Sequence, residues 1–191
     1  MDTAAILELI KETAEEVINP RFRALERADV EAKTSPDDLV TIADREAENL
    51  LSSALRRIHP DALVIGEEAV FANPELRRKL PGAEHAFVID PIDGTRNFVE
   101  GRQEHGVMLA ETRNGITTRG WIWQPRTGRG YVAEKGAGVR LNDEPITPER
   151  HDRPPLGASS KTHVQGFTGD GELSPVVRSL FACAFDYPRV L

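Results

Sequence analysis

An α+β fold, with helices layered on an antiparallel-rich sheet, is predicted by three features of this 191-residue chain. Two apolar stripes of helical period come first, within residues 6–25 and 47–58. Two short apolar runs, 62–65 and 86–90, read as buried strands. From residue 106 onward the apolar residues alternate and are punctuated by hairpin turns. Helices followed by consecutive strands mark the class.

The elements follow in order. Ile6, Leu9, Ile10, Ala14, Val17, Ile18, Phe22 and Leu25 recur at three- and four-residue intervals, one face of a helix. Pro20 lies inside that pattern, so the helix is expected to kink or restart there. EAKTSPDD, residues 31–38, reads as a polar loop around Pro36. A second helix carries Ala47, Leu50, Leu51, Ala54, Leu55 and Ile58 and stops at His59 and Pro60, where proline cannot continue it. ALVIGEE predicts a strand over 62–65 that runs into Glu67 and Glu68. Residues 71–84 are charged, contain Pro and Gly, and predict an excursion with one or two helical turns. AFVID is a second strand, ending in the cluster of Asp90 and Asp93.

The alternating stretch is broken by Asn114-Gly115 and Thr127-Gly128, hairpin signals of an antiparallel meander. Residues 143–175, rich in Pro, Gly and Asp, read as loop, and an apolar tail follows. The expected organisation is an N-terminal α+β domain over residues 1–150, then a linker and the start of an incomplete domain over 151–191.

Composition narrows the function. Lys and Arg number 24 against 31 Asp and Glu, a net charge of −7. No basic face is left to neutralise a nucleic acid polymer. A small phosphorylated substrate stays compatible, because one bound metal reverses the local field. Cys183 is the sole cysteine, so no internal disulfide forms. MDTAAILELIKETAEE is acidic and amphipathic, unlike a signal peptide, and no stretch is apolar enough for a membrane span. A soluble cytoplasmic protein is the expectation.

The candidate chemistry sits in GEE, 66–68, and DPIDGTRNF, 90–98. If the two short strands are neighbours, four carboxylates meet at one sheet edge, which repels itself unless a cation is present. Mg²⁺ accepts an all-oxygen shell. Pro91 keeps Asp90 extended, and a turn there aims the Asp90 carboxylate, the Ile92 carbonyl and the Asp93 carboxylate at one point. If a helical turn begins next, the N–H groups of Gly94 and Thr95 form an anion cradle. Metal beside a phosphate cradle suits phosphoester hydrolysis, with Glu67 and the Thr95 hydroxyl orienting the attacking water. An EF-hand and an Asp-x-Asp phosphatase both fail on spacing. Plainer readings stand beside these: a solvated turn for Asp90 and Asp93, a solvated strand end for Glu67 and Glu68, a helix N-cap for Thr95, an N-cap of the second helix for Asp44, and a surface lysine for Lys33.

GEE and DPIDGTRNF, with KTSPDDLVTIAD at 33–44 and YVAEKGAGVRLNDEPI further on, resemble the inositol monophosphatase family of Mg²⁺-dependent, lithium-sensitive phosphatases. The resemblance implies that Glu67, Asp90, the Ile92 carbonyl and Asp93 bind metal. It implies phosphate binding by Asp93, Gly94 and Thr95, and catalysis by Glu67 and Thr95. Asp44 would hold a third, weaker metal through water, or, with Glu68 and Lys33, surround the site without touching the metal. The family's later Trp-Asp motif is not matched here: Trp121 and Trp123 precede Ile and Gln, and Asp186 lacks the flanking pattern. The C-terminal αβ layer is therefore expected to be lacking. The resemblance implies a homodimer hydrolysing a small phosphate monoester, such as inositol monophosphate, histidinol phosphate or a nucleotide 3′-phosphate. The competing expectation is a truncated, inactive relative that binds metal or a partner.

Overall fold

The computed structural model describes residues 2–35, 38–147 and 154–190. Helix α1 spans Thr3–Thr13, capped by the Asp2 carboxylate on the Ala5 N–H at 2.7 Å. Past Thr13 it loosens into a π-helical turn, Ala14–Ile18, and tightens into a 3₁₀ turn, Asn19–Arg21. The helix thus ends around Pro20 and does not restart.

Two short strands, β1 (Val30–Ala32) and β2 (Leu39–Thr41), pair antiparallel. The stretch read as loop therefore starts within a strand, while Pro36 lies outside the described residues. Helix α2 runs Ile42–Ile58 and ends where expected. Strand β3 (Leu63–Gly66) is followed by α3 (Glu67–Ala72) and α4 (Glu75–Lys79). Next come β4 (His85–Asp93), the short α5 (Thr95–Val99), and the meander β5 (Gly106–Arg113), β6 (Ile116–Gln124), β7 (Arg129–Glu134), β8 (Gly138–Leu141) and β9 (Glu144–Ile146). These seven strands form one sheet in the order β3 to β9. β3 and β4 are parallel, and every other neighbouring pair is antiparallel.

The region 143–175 is not all loop. It holds β9, β10 (Leu156–Ser159) and the start of β11 (Ser174–Arg178), and β10 pairs with β11 in a separate parallel ribbon. Such short, half-exposed strands leave little apolar pattern to read. Helix α6 (Cys183–Asp186) and a 3₁₀ turn, Tyr187–Val190, close the described chain.

Helices α1 and α2 cover one sheet face. Ile6, Ile10, Leu51 and Leu55 meet Phe87, Ile89, Leu109 and Trp121 in a single core, so period 3.6 on the helices matches period 2 on the strands. The indole N–H of Trp121 donates to the Thr3 carbonyl at 2.9 Å, fixing α1 on the sheet. The opposite face carries Val88, Met108, Ala110 and Ile122 and borders an open cleft of about 800 Å³. No helix among the described residues is long and apolar enough to cross a membrane.

Candidate functional site

Because β3 and β4 are parallel, with Gly66 opposite Ile89, both deliver their C-terminal ends to one edge of the sheet. Ligands gather at such edges in parallel arrangements. The carboxylates of Glu67, Glu68, Asp90 and Asp93 arrive there.

Glu67 and Glu68 do not prolong β3; they open α3. Its first N–H groups are satisfied from α2. Glu48 accepts from the N–H groups of Glu68 at 2.7 Å and Ala69 at 2.9 Å. A Cβ on Gly66 would stand 2.1 Å from that carboxylate group, so the close approach needs glycine. Sequence reasoning missed Glu48, because a glutamate inside a helical pattern reads as solvated.

Strand β4 continues past Asp90, with its pairing irregular between Asp90 and Asp93. Pro91 has no N–H for the ladder, so a bulge stands where a turn was expected. The turn comes at Gly94, with φ of 80°, and α5 starts at Thr95. Gly94, not Thr95, is therefore the N-cap of α5. The Thr95 hydroxyl lies within hydrogen-bond distance of the Ile92 carbonyl (2.9 Å) and of Asp44 Oδ1 (3.2 Å). First-turn N–H groups of a helix have no partner within it.

Asp44 is not the N-cap of α2 either. Thr41 is, and Asp44 completes the capping box, its Oδ2 accepting from the Thr41 N–H (2.8 Å) and hydroxyl (2.5 Å). Its other oxygen faces Thr95. Asp44 is 1% exposed, and burial pushes its carboxyl up to about 6, against the bonds from Thr41.

The same crowding marks the rest of the cluster. Burial, then the charges of Glu67, Asp93 and Asp44, hold Asp90 well above the usual carboxylate range. Asp90 Oδ1 is buried without a hydrogen-bond partner. Burial also raises Asp93, although N–H groups of Ala184 and Cys183 oppose it; the Ala184 bond to Oδ2 is 2.7 Å. Lys33 supplies the local positive charge. Its ammonium bonds Glu67 at 2.7 Å and Glu68 at 2.5 Å, and its side chain is only 3% exposed. Burial alone would lower its pKa, but the two carboxylates outweigh that and raise it.

The carboxylates form a cluster, not a closed cage: among the described residues no three His, Cys, Asp or Glu side chains are grouped so as to hold a metal ion. The donor chemistry nonetheless fits a hard divalent cation. All candidate donors are oxygens, they raise one another's proton affinity, and one buried oxygen lacks any partner.

The tail completes the site's wall, which the sequence did not signal. Ala182 and Ala184 are buried, and the Ala182 Cβ would lie 2.9 Å from a Cβ on Gly94. Gln124 donates to the Ala184 carbonyl at 2.7 Å, and Asn97 donates to that of Leu180 at 2.8 Å. Asp186 accepts from the Ser179 hydroxyl and the Leu180 N–H, and its charge adds to the rise of Asp93.

Comparison with known proteins gives a consistent picture. The model of the inositol monophosphatase family matches residues 2–187. A fructose-1,6-bisphosphatase/inositol-1-monophosphatase from Thermotoga maritima is 35% identical over 117 residues, 61% of this chain and 42% of that protein. The chain thus spans under half the length of that relative. Among solved structures, a Thermotoga maritima IMPase superposes with a TM-score of 0.79 at 26% identity, covering 96% of this chain and 70% of the other. An IMPase/NADP phosphatase complexed with Mg²⁺ and phosphate shares the fold, with a TM-score of 0.72 at 21% identity over 98% of this chain and 71% of its own.

Proposed function

The chain belongs to the inositol monophosphatase family, and from that premise we propose that it supplies the catalytic residues of a Mg²⁺-dependent phosphatase acting on a small phosphate monoester. The observation that carries this reading is the buried, unpartnered Asp90 Oδ1 inside a cluster of carboxylates, beside the start of α5. A buried carboxyl whose oxygen lacks a donor is costly to ionise unless a cation meets it. The Mg²⁺ and phosphate named for the IMPase/NADP phosphatase support the choice of ion.

In this proposal Glu67, Asp90, the Ile92 carbonyl and Asp93 hold the metal. Bound Mg²⁺ neutralises phosphate charge and makes a coordinated water more acidic. The chain's own groups do the rest. The N–H groups of Gly94 and Thr95 receive phosphate oxygens, since a helix start presents donors and a favourable dipole. Asp93, its orientation set by the Ala184 N–H, would serve both the metal and the phosphate. The Thr95 hydroxyl, positioned by Asp44 and the Ile92 carbonyl, orients the attacking water together with Glu67, which takes the water's proton. Asp44, Glu68 and Lys33 form the outer part of the site.

The test is phosphate release from inositol 1-phosphate, with and without Mg²⁺, by the wild type and Asp93→Asn. The proposal expects Mg²⁺-dependent release, abolished in the variant while its fold persists. Equal release without Mg²⁺, or by Asp93→Asn, would contradict it.

A further inference from the structure

Lys33 is placed unlike a surface lysine. Its neighbours Ala32 and Thr34 are exposed, yet its own side chain is 3% exposed and reaches a glutamate pair more than thirty residues away in sequence. The Phe71 ring lies 5.6 Å from its Nζ, adding a cation–π contact from the outer side. Glu68 is held on its other flank, because Glu48 takes its N–H. Glu67 is the shared member: it pairs with Lys33, its charge raises the pKa of Asp90, and it stays 43% exposed.

We propose that Lys33 is a tethered counter-cation, which neutralises Glu67 and Glu68 in the metal-free chain and must be displaced from Glu67 when a divalent ion binds there. This rests on the metal reading of the carboxylate cluster. The geometry explains why donors of suitable chemistry form no cage. One Glu67 oxygen is engaged by an ammonium 2.7 Å away, and a carboxylate directed at a lysine is not free to close around an ion shared with Asp90. Metal binding then becomes an exchange of one cation for another. The ammonium guards the metal-free site against its own repulsion and lowers the apparent affinity for the ion that replaces it. The exchange releases no proton, since Lys33 leaves still protonated, and the cluster gains one net positive charge.

The test uses Mn²⁺ titrations by calorimetry on the whole chain, comparing wild type, Lys33→Gln and Lys33→Arg. Lys33→Gln is expected to bind Mn²⁺ more tightly, by about tenfold, the fold-change of one hydrogen bond to a charged group. Its metal-free melting temperature should fall and its Mn²⁺-induced rise should grow. Lys33→Arg, which keeps the charge, should bind as the wild type does. Unchanged or weaker binding by Lys33→Gln would overturn the inference and leave the metal reading standing. Absence of saturable Mn²⁺ binding by the wild type would instead remove the metal reading, and this inference with it. The Lys33 ammonium resonance of the wild type gives an arm that needs no variant. It should shift and exchange faster with water on adding Mg²⁺, and a resonance indifferent to saturating Mg²⁺ would overturn the inference even if Lys33→Gln failed to fold.

Discussion

Acid should loosen the layer beneath α5 through His105. This side chain is fully buried, with ring centroids 5.1 Å from Phe22 and 5.0 Å from Phe98, the aromatic residue of α5. Its Nδ1 lies 3.1 Å from the Arg102 carbonyl and takes the proton in that tautomer, while Nε2 is buried without a partner. A second proton has nowhere to bond. Burial therefore pushes the imidazole down from 6.5 to about 4, against the Arg102 carbonyl, which raises it. With a lowered folded-state pKa, the unfolded chain takes up the proton first as pH falls. The stability held by neutral His105 is intact above pH 6.5 and is lost between there and about 4. That displacement corresponds to roughly 3 kcal/mol when complete, most of it gone by about pH 4.5. The assay is urea unfolding of wild type and His105→Gln at about pH 7.5 and about pH 4.5, where the other titrating groups cancel between the proteins. The wild type should lose roughly 2–3 kcal/mol more than the variant. A stability gap independent of pH would refute the reasoning.

Two further substitutions test the wall of the site. Gly94→Ala forces a φ of 80° on a side chain whose Cβ would meet the Glu104 carbonyl oxygen at 2.8 Å; the left-handed backbone alone costs about 1–2 kcal/mol, so thermal unfolding should show at least that loss, and wild-type stability would mean the turn relaxes freely. Gln124→Ala leaves the Ala184 carbonyl, which it meets at 2.7 Å, without its donor; a loss of about 1–3 kcal/mol is expected, with faster hydrogen exchange over residues 180–186, and unchanged exchange there would show that the tail is held otherwise.

Legibility in the sequence tracked how local each determinant is. The α1 and α2 stripes, the strands ending near Glu67 and Asp90, and the hairpin at Asn114, where φ is 49°, were readable because periodicity and turn chemistry are local. The cap roles of Thr95 and Asp44 were misread by a few residues. Gly94 and Thr41 cap their helices, which frees the Thr95 hydroxyl and Asp44 Oδ1 to meet each other. A parallel β10–β11 ribbon was hidden by its Gly and Pro content. Glu48, Gln124 and the Ala182–Ala184 wall were invisible, since each acts across long sequence separations: Glu48 on Gly66 and α3, Gln124 on a residue 60 positions away. The carboxylate cluster was legible as composition and spacing. Lys33 drawing on Glu67 was not, because nothing in KTSPDD says where a lysine side chain will lie.

The central claim is that Asp90 Oδ1 is buried in order to meet a cation. Crystals of the chain soaked in Mn²⁺ and measured at the manganese absorption edge test it directly. The account predicts an anomalous peak within roughly 2–2.5 Å of an Asp90 carboxylate oxygen, with Glu67 turned onto the ion and the Lys33 ammonium withdrawn from it. No peak at Asp90, with Lys33 still bonded to both glutamates at saturating Mn²⁺, would contradict it.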